Sequence, residues 1–203
     1  MFLLNKPDET FIRRFLEERE GEPFSYPEPG ASRAVAPSGY NVDHNRVMLG
    51  EGRETFSKAI IALKSWKMFD IQWLKLCWAD TPIVVGATIG VLVNHLGFWS
   101  LNANRIVYVM EEKGEIERYG FAYGTLLAHA ECGEERFSVE YHRADNKVWF
   151  EIYAFSKPKH ILAKAGYPFS RRLQKRFAKE SKKAMVNAVN NGHINGSFNP
   201  TPP

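Results

Sequence analysis

Cysteine is scarce in this chain: Cys77 and Cys132 are the two thiols among 203 residues. Neither belongs to a Cys-x-x-Cys pair, and no set of Cys and His has zinc-ligand spacing. That excludes a disulfide framework and a zinc module, and two free thiols in a reducing cytosol are expected. Phosphate-loop chemistry is missing too. No Lys-Ser or Lys-Thr follows Gly120 or Gly124, no helix opens there, and Gly50-Glu51-Gly52 is too short a signal. No serine nucleophile elbow is present. Neither a metal nor a cofactor is expected, and the chain reads as cytoplasmic.

Charge is absent from Pro82 to Leu101, a length that could cross a membrane. The stretch holds Gly86, Gly90 and Gly97, with Asn94 and His95 between them, and is rich in Val and Ile. Two buried strands joined by a turn at Asn94–Gly97 explain it better than a span. The opening MFLLNKPDETF has too short an apolar run for a signal-peptide core. No internal repeat is visible.

What is present is a real core. Hydrophobic residues make up 44% of the chain, charged residues 25% and aromatics 13%. Asp8–Glu20 reads as an amphipathic helix with Phe11, Phe15 and Leu16 on one side, followed by an irregular arm over Gly21–Gly39. A second helix is predicted over Glu54–Lys67, with Phe56, Ile60, Leu63 and Trp66 as its apolar stripe. Strands are predicted over Ile83–Val93, Arg105–Met110 and Tyr119–Ala128. Glu135–Arg143 and Lys147–Phe155 form a hairpin about Ala144-Asp145-Asn146. Asp43 with His44 could serve a site, but "NVDHN" reads rather as a turn before a strand. A long helix over Pro158–Val189 follows, bent or split at Pro168, with Phe169, Leu173, Phe177, Ala184, Met185 and Ala188 as its apolar face. Helices, then an antiparallel meander, then one long helix argue for an α+β protein, and the lack of a helix between successive strands argues against a parallel nucleotide-binding sheet.

Several ordered motifs carry a family likeness. "GFAYGTL" (Gly120–Leu126), "GEERF" (Gly133–Phe137), "VWFEIYAFSKP" (Val148–Pro158) and "RRLQKRF" (Arg171–Phe177) resemble the domain of unknown function 1990 family, also called uncharacterised protein family 0548. "YNVDHNRVMLGEG" (Tyr40–Gly52) and "HLGFWSLNANRIVYV" (His95–Val109) are similar to it as well, so the likeness runs from about Phe24 to Met185. Around His129 this chain departs from the family pattern, with Leu127, Ala128 and Ala130 where proline and glycine are expected, and Lys157 stands where arginine is more usual. The resemblance implies a START-like, pollen-allergen-like helix-grip fold: a curved antiparallel sheet gripping a long C-terminal helix over a cavity. It implies no particular activity, because one fold hosts many. On this reading the chain divides into an N-terminal helix and arm (1–23), one helix-grip-like domain (24–189) and a disordered tail (190–203).

Strand parity selects the candidate site. Phe137, Val139 and Tyr141 share one face, which must meet the helix; Arg136, Ser138, Glu140 and His142 share the other, with Arg136 towards water. Glu135 has the parity of Phe137 and starts the strand pointing inward. An inward carboxylate needs a partner or a raised pKa, and Tyr123, His129 and Arg105 are candidates. Glu135 with His129 could form an acid–base pair, or the two could simply satisfy the intervening turn. Gly120 and Gly124 read as bulges or points of sharp curvature.

Three functions fit. In the first, a small apolar ligand, lipid-like or isoprenoid-like, lies between sheet and helix among Tyr123, His129, Glu135, Phe121, Phe137, Tyr141, Tyr108, Phe150, Trp66 and Arg105. The second is a hydrolase, cyclase or dehydratase using Glu135 and His129 as acid and base. The third rests on charge. Lys157–Lys183 holds ten basic residues and one acid, Glu180, whereas the remainder holds seventeen basic and twenty-two acidic. That basic helix could be a solvated face or could dock on an anionic membrane surface. Nucleic acid is disfavoured, because no binding motif or aromatic ladder accompanies the charge. The oligomeric state is left open.

Overall fold

Period-two alternation builds most of the molecule. The computed structural model describes residues 1–95, 97–129, 131–159 and 167–191. Its strands are β1 (Phe2–Leu3), β2 (Asn41–Glu51), β3 (Leu74–Cys77), β4 (Thr88–Asn94), β5 (Trp99–Glu112), β6 (Ile116–Thr125), β7 (Glu131–His142) and β8 (Lys147–Pro158). The helices are α1 (Glu9–Glu17), α2 (Gly52–Lys64) and α3 (Tyr167–Asn190). The strands form one antiparallel sheet in the order β2-β8-β7-β6-β5-β4-β3, with β1 beside β5. The sheet curls round α3 and α2, which gives the expected α+β helix-grip architecture.

The inner face follows the register in rows. Val109, Phe121, Phe137 and Ile152 lie side by side across β5–β8, and the next row is Ile106, Tyr123, Glu135, Ala154 and Asp43. Phe121, Phe137 and Phe150 are fully buried. Together with Trp66 and Phe69 they fill one half of the grip. Each such side chain contributes roughly 1.5–3 kcal/mol by leaving water.

The outer face is covered rather than bare. Asp8 caps α1 by accepting the Phe11 N–H at 2.7 Å. Ile12, Phe15 and Leu16 of α1 then pack on Leu92, Leu101 and Ala103. The predicted Phe11 is instead 40% exposed, because the stripe that meets the sheet is one position on, at Ile12. Gly90 is where α1 crosses: a Cβ there would lie 3.2 Å from Leu16. Farther along the chain, Glu134 is 3% exposed and accepts from the Tyr26 hydroxyl (2.6 Å), the Gly30 N–H (2.7 Å), the Ser32 N–H (3.0 Å) and the Ser32 hydroxyl. One buried carboxylate thus clamps the irregular arm to the sheet. Arg136, expected in water, donates to the Ser32 carbonyl and to Glu151, both at 2.6 Å. Beside it, Glu140 accepts from Arg46 (2.7 Å) and Arg118 (2.6 Å).

Other expectations change for local reasons. "NVDHN" is strand, not turn: Asn41–Asn45 pairs residue by residue with Ser156–Ile152 of β8. The strand predicted from Ile83 starts only at Thr88, because Gly86 has φ +89° and breaks the extended chain, leaving Val84 and Val85 exposed. β3 was not foreseen. Gly120 and Gly124 are points of close approach rather than bulges: a Cβ at Gly124 would fall 2.2 Å from the Tyr26 hydroxyl, and one at Gly120 would fall 2.6 Å from the Phe137 carbonyl. The predicted second helix stops three residues early, and Trp66 lies just past it with φ 55°. Pro158 ends β8 instead of opening a helix. Pro168 falls in the first turn of α3, where no internal N–H is lost, so it does not bend the helix. Phe169 is 46% exposed, and Ala178, Met185 and Val189 carry the buried face. Within the tail, residues 192–203 lie outside the described residues.

Replacing Glu134 by alanine leaves four donors without their acceptor. We expect a loss of about 3–5 kcal/mol. Tyr26→Phe removes one of the four and should cost about 1 kcal/mol. Urea unfolding of both variants checks the ordering, and an equal effect would mean that the clamp does not depend on the carboxylate.

Candidate functional site

The row that ends the aromatic packing is polar. Beyond it towards α3 lies a pocket of about 1000 Å³. Its sheet side is set by parity. Ser100, Asn102 and Asn104 come inward from β5, Tyr123 from β6, Glu131 and Glu135 from β7, and Asp43 from β2. Opposite stand Leu173 and Phe177 of α3, with Phe69, Leu74, Val91 and Val93 at one flank. The strands thus supply the carboxylates and asparagines, while Leu173, Phe177 and the flank are apolar and Ser170, Gln174 and Lys175 of α3 add polar groups.

Glu135 is the centre of the polar side. The Tyr123 hydroxyl donates to Glu135 Oε2 at 2.5 Å. Burial pushes the Glu135 carboxyl up to about 7; the Tyr123 hydrogen bond opposes this, and the nearby Asp43 and Glu131 carboxylates add to it. Burial and the facing carboxylate raise the Tyr123 phenol well above its ordinary value. Glu131 is raised as well, by burial, against hydrogen bonds from Ser170, Ser156 and Gln174.

A relay ties this wall to the helix. Arg171 of α3 grips Asp43 with both terminal nitrogens, one at 2.7 Å, and donates to Gln174 Oε1 at 2.6 Å. Gln174 in turn donates to Glu131 and, at 3.2 Å, to the Ser156 hydroxyl. Other cations of the helix are also engaged. Arg176 pairs with Glu180 at 2.7 Å and stacks on Trp73, and Lys182 reaches Asn45 at 3.3 Å.

His129 lines the pocket but satisfies the turn: its Nδ1 accepts the Glu131 N–H at 3.0 Å. Burial, and then the N-terminal ammonium group, lower it to about 4, so its ring is neutral at neutral pH. Among the described residues no hydrogen bond joins it to Glu135, whose partner is Tyr123.

Of the ten residues proposed from sequence, the structure brings Tyr123, His129 and Glu135 together in the pocket wall. Phe121, Phe137, Phe150 and Trp66 lie in the packed half of the core, and Trp66 donates to the Thr81 carbonyl at 3.0 Å. Tyr141 stacks on Phe56 and donates to Asn146. Tyr108 faces outward, to Ser32, because an irregularity between Ile106 and Tyr108 reverses the parity of β5. Arg105 also faces outward and binds the carbonyls of Arg19, Glu20 and Glu22 beyond the C-terminus of α1. Sequence reasoning missed Asp43 with Arg171, Glu131 with Gln174, and the stripe Ser100, Asn102, Asn104. The stripe had a signal, polar residues at every second position of "SLNAN". The ion pair spans 128 positions and had none.

No group of three or more His, Cys, Asp or Glu among the described residues could hold a metal ion. No helix among them is long and apolar enough to cross a membrane.

A curled antiparallel sheet closed by a C-terminal helix over a half-filled interior defines a helix-grip protein. The chain belongs to the DUF1990 family: residues 25–184 match its model, described as "Domain of unknown function (DUF1990)". A UPF0548 protein of Dictyostelium discoideum is 38% identical, covering 93% of this chain and 96% of that one. One of Deinococcus radiodurans is 34% identical over 93% and 99%. Among solved structures, the hypothetical protein jhp0584 from Helicobacter pylori matches with a TM-score of 0.52 at 12% identity, covering 82% of this chain and 96% of that one. Human STARD10 matches with a TM-score of 0.43 at 12% identity, over 91% and 82%.

The raised Glu135 carboxyl makes a signed prediction. Its folded pKa lies above the unfolded carboxylate value near 4.5, so the folded state holds a proton that the unfolded state has lost. The stabilising contribution is present below the unfolded value and is lost as pH rises to about 7. Glu135 faces Tyr123 on β6, Asp43 on β2, Glu131 on β7 and the Arg171–Gln174 relay on α3. Carbon-13 NMR titration of the Glu135 carboxyl should give a midpoint near 7 that falls in Glu131→Gln. A midpoint in the ordinary carboxylate range would overturn the assignment.

Proposed function

We propose that this protein binds a small, mainly apolar molecule, lipid-like or isoprenoid-like, between its sheet and α3. The observation that carries the reading is the unfilled half of the grip. About 1000 Å³ remains beyond the Phe121–Phe137–Phe150 packing, and the half-buried Glu135, bound by the Tyr123 hydroxyl, stands in its wall. That volume is at the upper end of small-molecule pockets, and an apolar pocket with a few convergent polar groups is the usual form of such sites. Leu173, Phe177 and the flanking valines supply burial, and the polar residues of the sheet supply orientation.

A second reading, an acid–base enzyme of hydrolase, cyclase or dehydratase type, draws on one observation. A carboxyl raised to about 7 is suited to proton transfer near neutral pH. Its partner would be Tyr123, within hydrogen-bond reach, rather than His129. Docking of the basic helix on an anionic membrane is less favoured, because Arg171, Arg176 and Lys182 are engaged within the fold.

Native mass spectrometry of the purified protein, with solvent extraction of whatever it carries, tests the binding reading. We expect a defined apolar molecule in the wild type. Ala154→Phe, which fills the pocket from β8, should abolish its retention with the fold intact by circular dichroism. Retention unchanged in Ala154→Phe would place the bound molecule elsewhere. If Glu135→Gln and Tyr123→Phe retain the molecule but stop its conversion, the enzyme reading takes over.

A further inference from the structure

Two acceptors of the polar wall lack a donor among the described residues. Asn104 is 2% exposed, lines the pocket, and its Oδ1 accepts no hydrogen bond. Glu135 accepts one hydrogen bond among the described residues, from Tyr123 on Oε2, and Oε1 has none. The neighbouring stripe residues are more settled: the Asn102 amide donates to the Ser100 hydroxyl at 3.1 Å and approaches the Val91 carbonyl at 3.5 Å. Asn104 Oδ1 is sealed from the pocket as well as from donors, whereas Glu135 is half-buried in the pocket wall, where its free oxygen can accept from a ligand that brings a donor. Asn104 and Tyr123 come from neighbouring strands, with Tyr123 opposite Ile106, two residues along from Asn104. Glu135 Oε1 is therefore the open acceptor of this region of the pocket.

The charges around that region have one dominant sign. Asp43, Glu131 and Glu135 all line the pocket. Arg171 is bound to Asp43 and balances it. Lys175, the lysine among the described lining residues, is exposed. Glu134 is turned to the arm and is occupied there. His129 is neutral at neutral pH, as is usual for a desolvated imidazole. A ligand carboxylate or phosphate placed here would meet like charge at short range with little water to screen it.

Resting on the ligand-binding reading, we propose that the pocket selects amphiphiles whose polar end donates hydrogen bonds and carries no negative charge, an alcohol or a protonated amine, held by Glu135. The apolar body lies towards Leu173, Phe177, Val91 and Val93, and anionic fatty acids are rejected.

Three probes with one tail separate these chemistries: 1-dodecanol, dodecylammonium and dodecanoate, titrated calorimetrically into the full chain at about pH 8, below their aggregation thresholds. The alcohol and the ammonium should bind at least about tenfold tighter than dodecanoate. Glu135→Gln should bring the three probes within about threefold of one another. Glu131→Gln is the second variant, should Glu135→Gln fail to fold, and should reduce the discrimination by about threefold. Dodecanoate binding as tightly as the alcohol would overturn the selectivity while leaving the ligand-binding reading standing. No binding by any of the three would overturn both.

Discussion

Phe137 is the point at which the sheet, the helices and the pocket are held together. It is fully buried, and its ring meets Phe121 and Tyr123 across β6, Phe150 on β8, Phe69 after α2 and Phe177 on α3. The curled sheet closes on the helix there because these aromatic surfaces leave water together. The packing occupies one half of the grip and stops at the next row. There Tyr123 and Glu135 replace phenylalanine, and the interior is left open. The site is thus the place where a hydrophobic core gives way to a polar row within the same strands.

A second constraint acts from the other side. A sheet curled this tightly exposes a broad outer face, and here it is closed by charge and by the N-terminal arm. Glu134 holds the arm, Glu151 joins Arg136 at 2.6 Å and His44 at 2.9 Å, and Glu140 joins Arg46 and Arg118. Glu134 and Glu135 are adjacent in sequence and opposite in environment. One is saturated with donors under the arm. The other has one donor and faces open space. Parity alone separates a structural carboxylate from a candidate functional one.

Much of this was legible beforehand. The inward direction of Glu135 follows from the alternation of Phe137, Val139 and Tyr141, and the hairpin about Asp145 follows from its turn residues. The element order and ordered motifs pointed to the helix-grip fold. Tyr108 was misplaced because an irregularity in β5 resets parity without a local sequence sign. Arg105 was misplaced because its carbonyl partners lie more than 80 positions away. Asp43 was read as a turn residue because "NVDHN" is rich in turn formers, whereas pairing with β8 overrode that local preference.

The sequence by itself determined which faces of the strands are apolar, that one long basic helix follows the meander, and that an acid stands on the inner face. These properties are periodic and local, so they can be read from spacing. The tertiary structure decided how much of the interior Phe121, Phe137 and Phe150 fill, that Tyr123 rather than His129 meets Glu135, and that Arg171 crosses to Asp43. Those outcomes depend on strand register, sheet curvature and contacts between distant segments, which no short window of sequence contains.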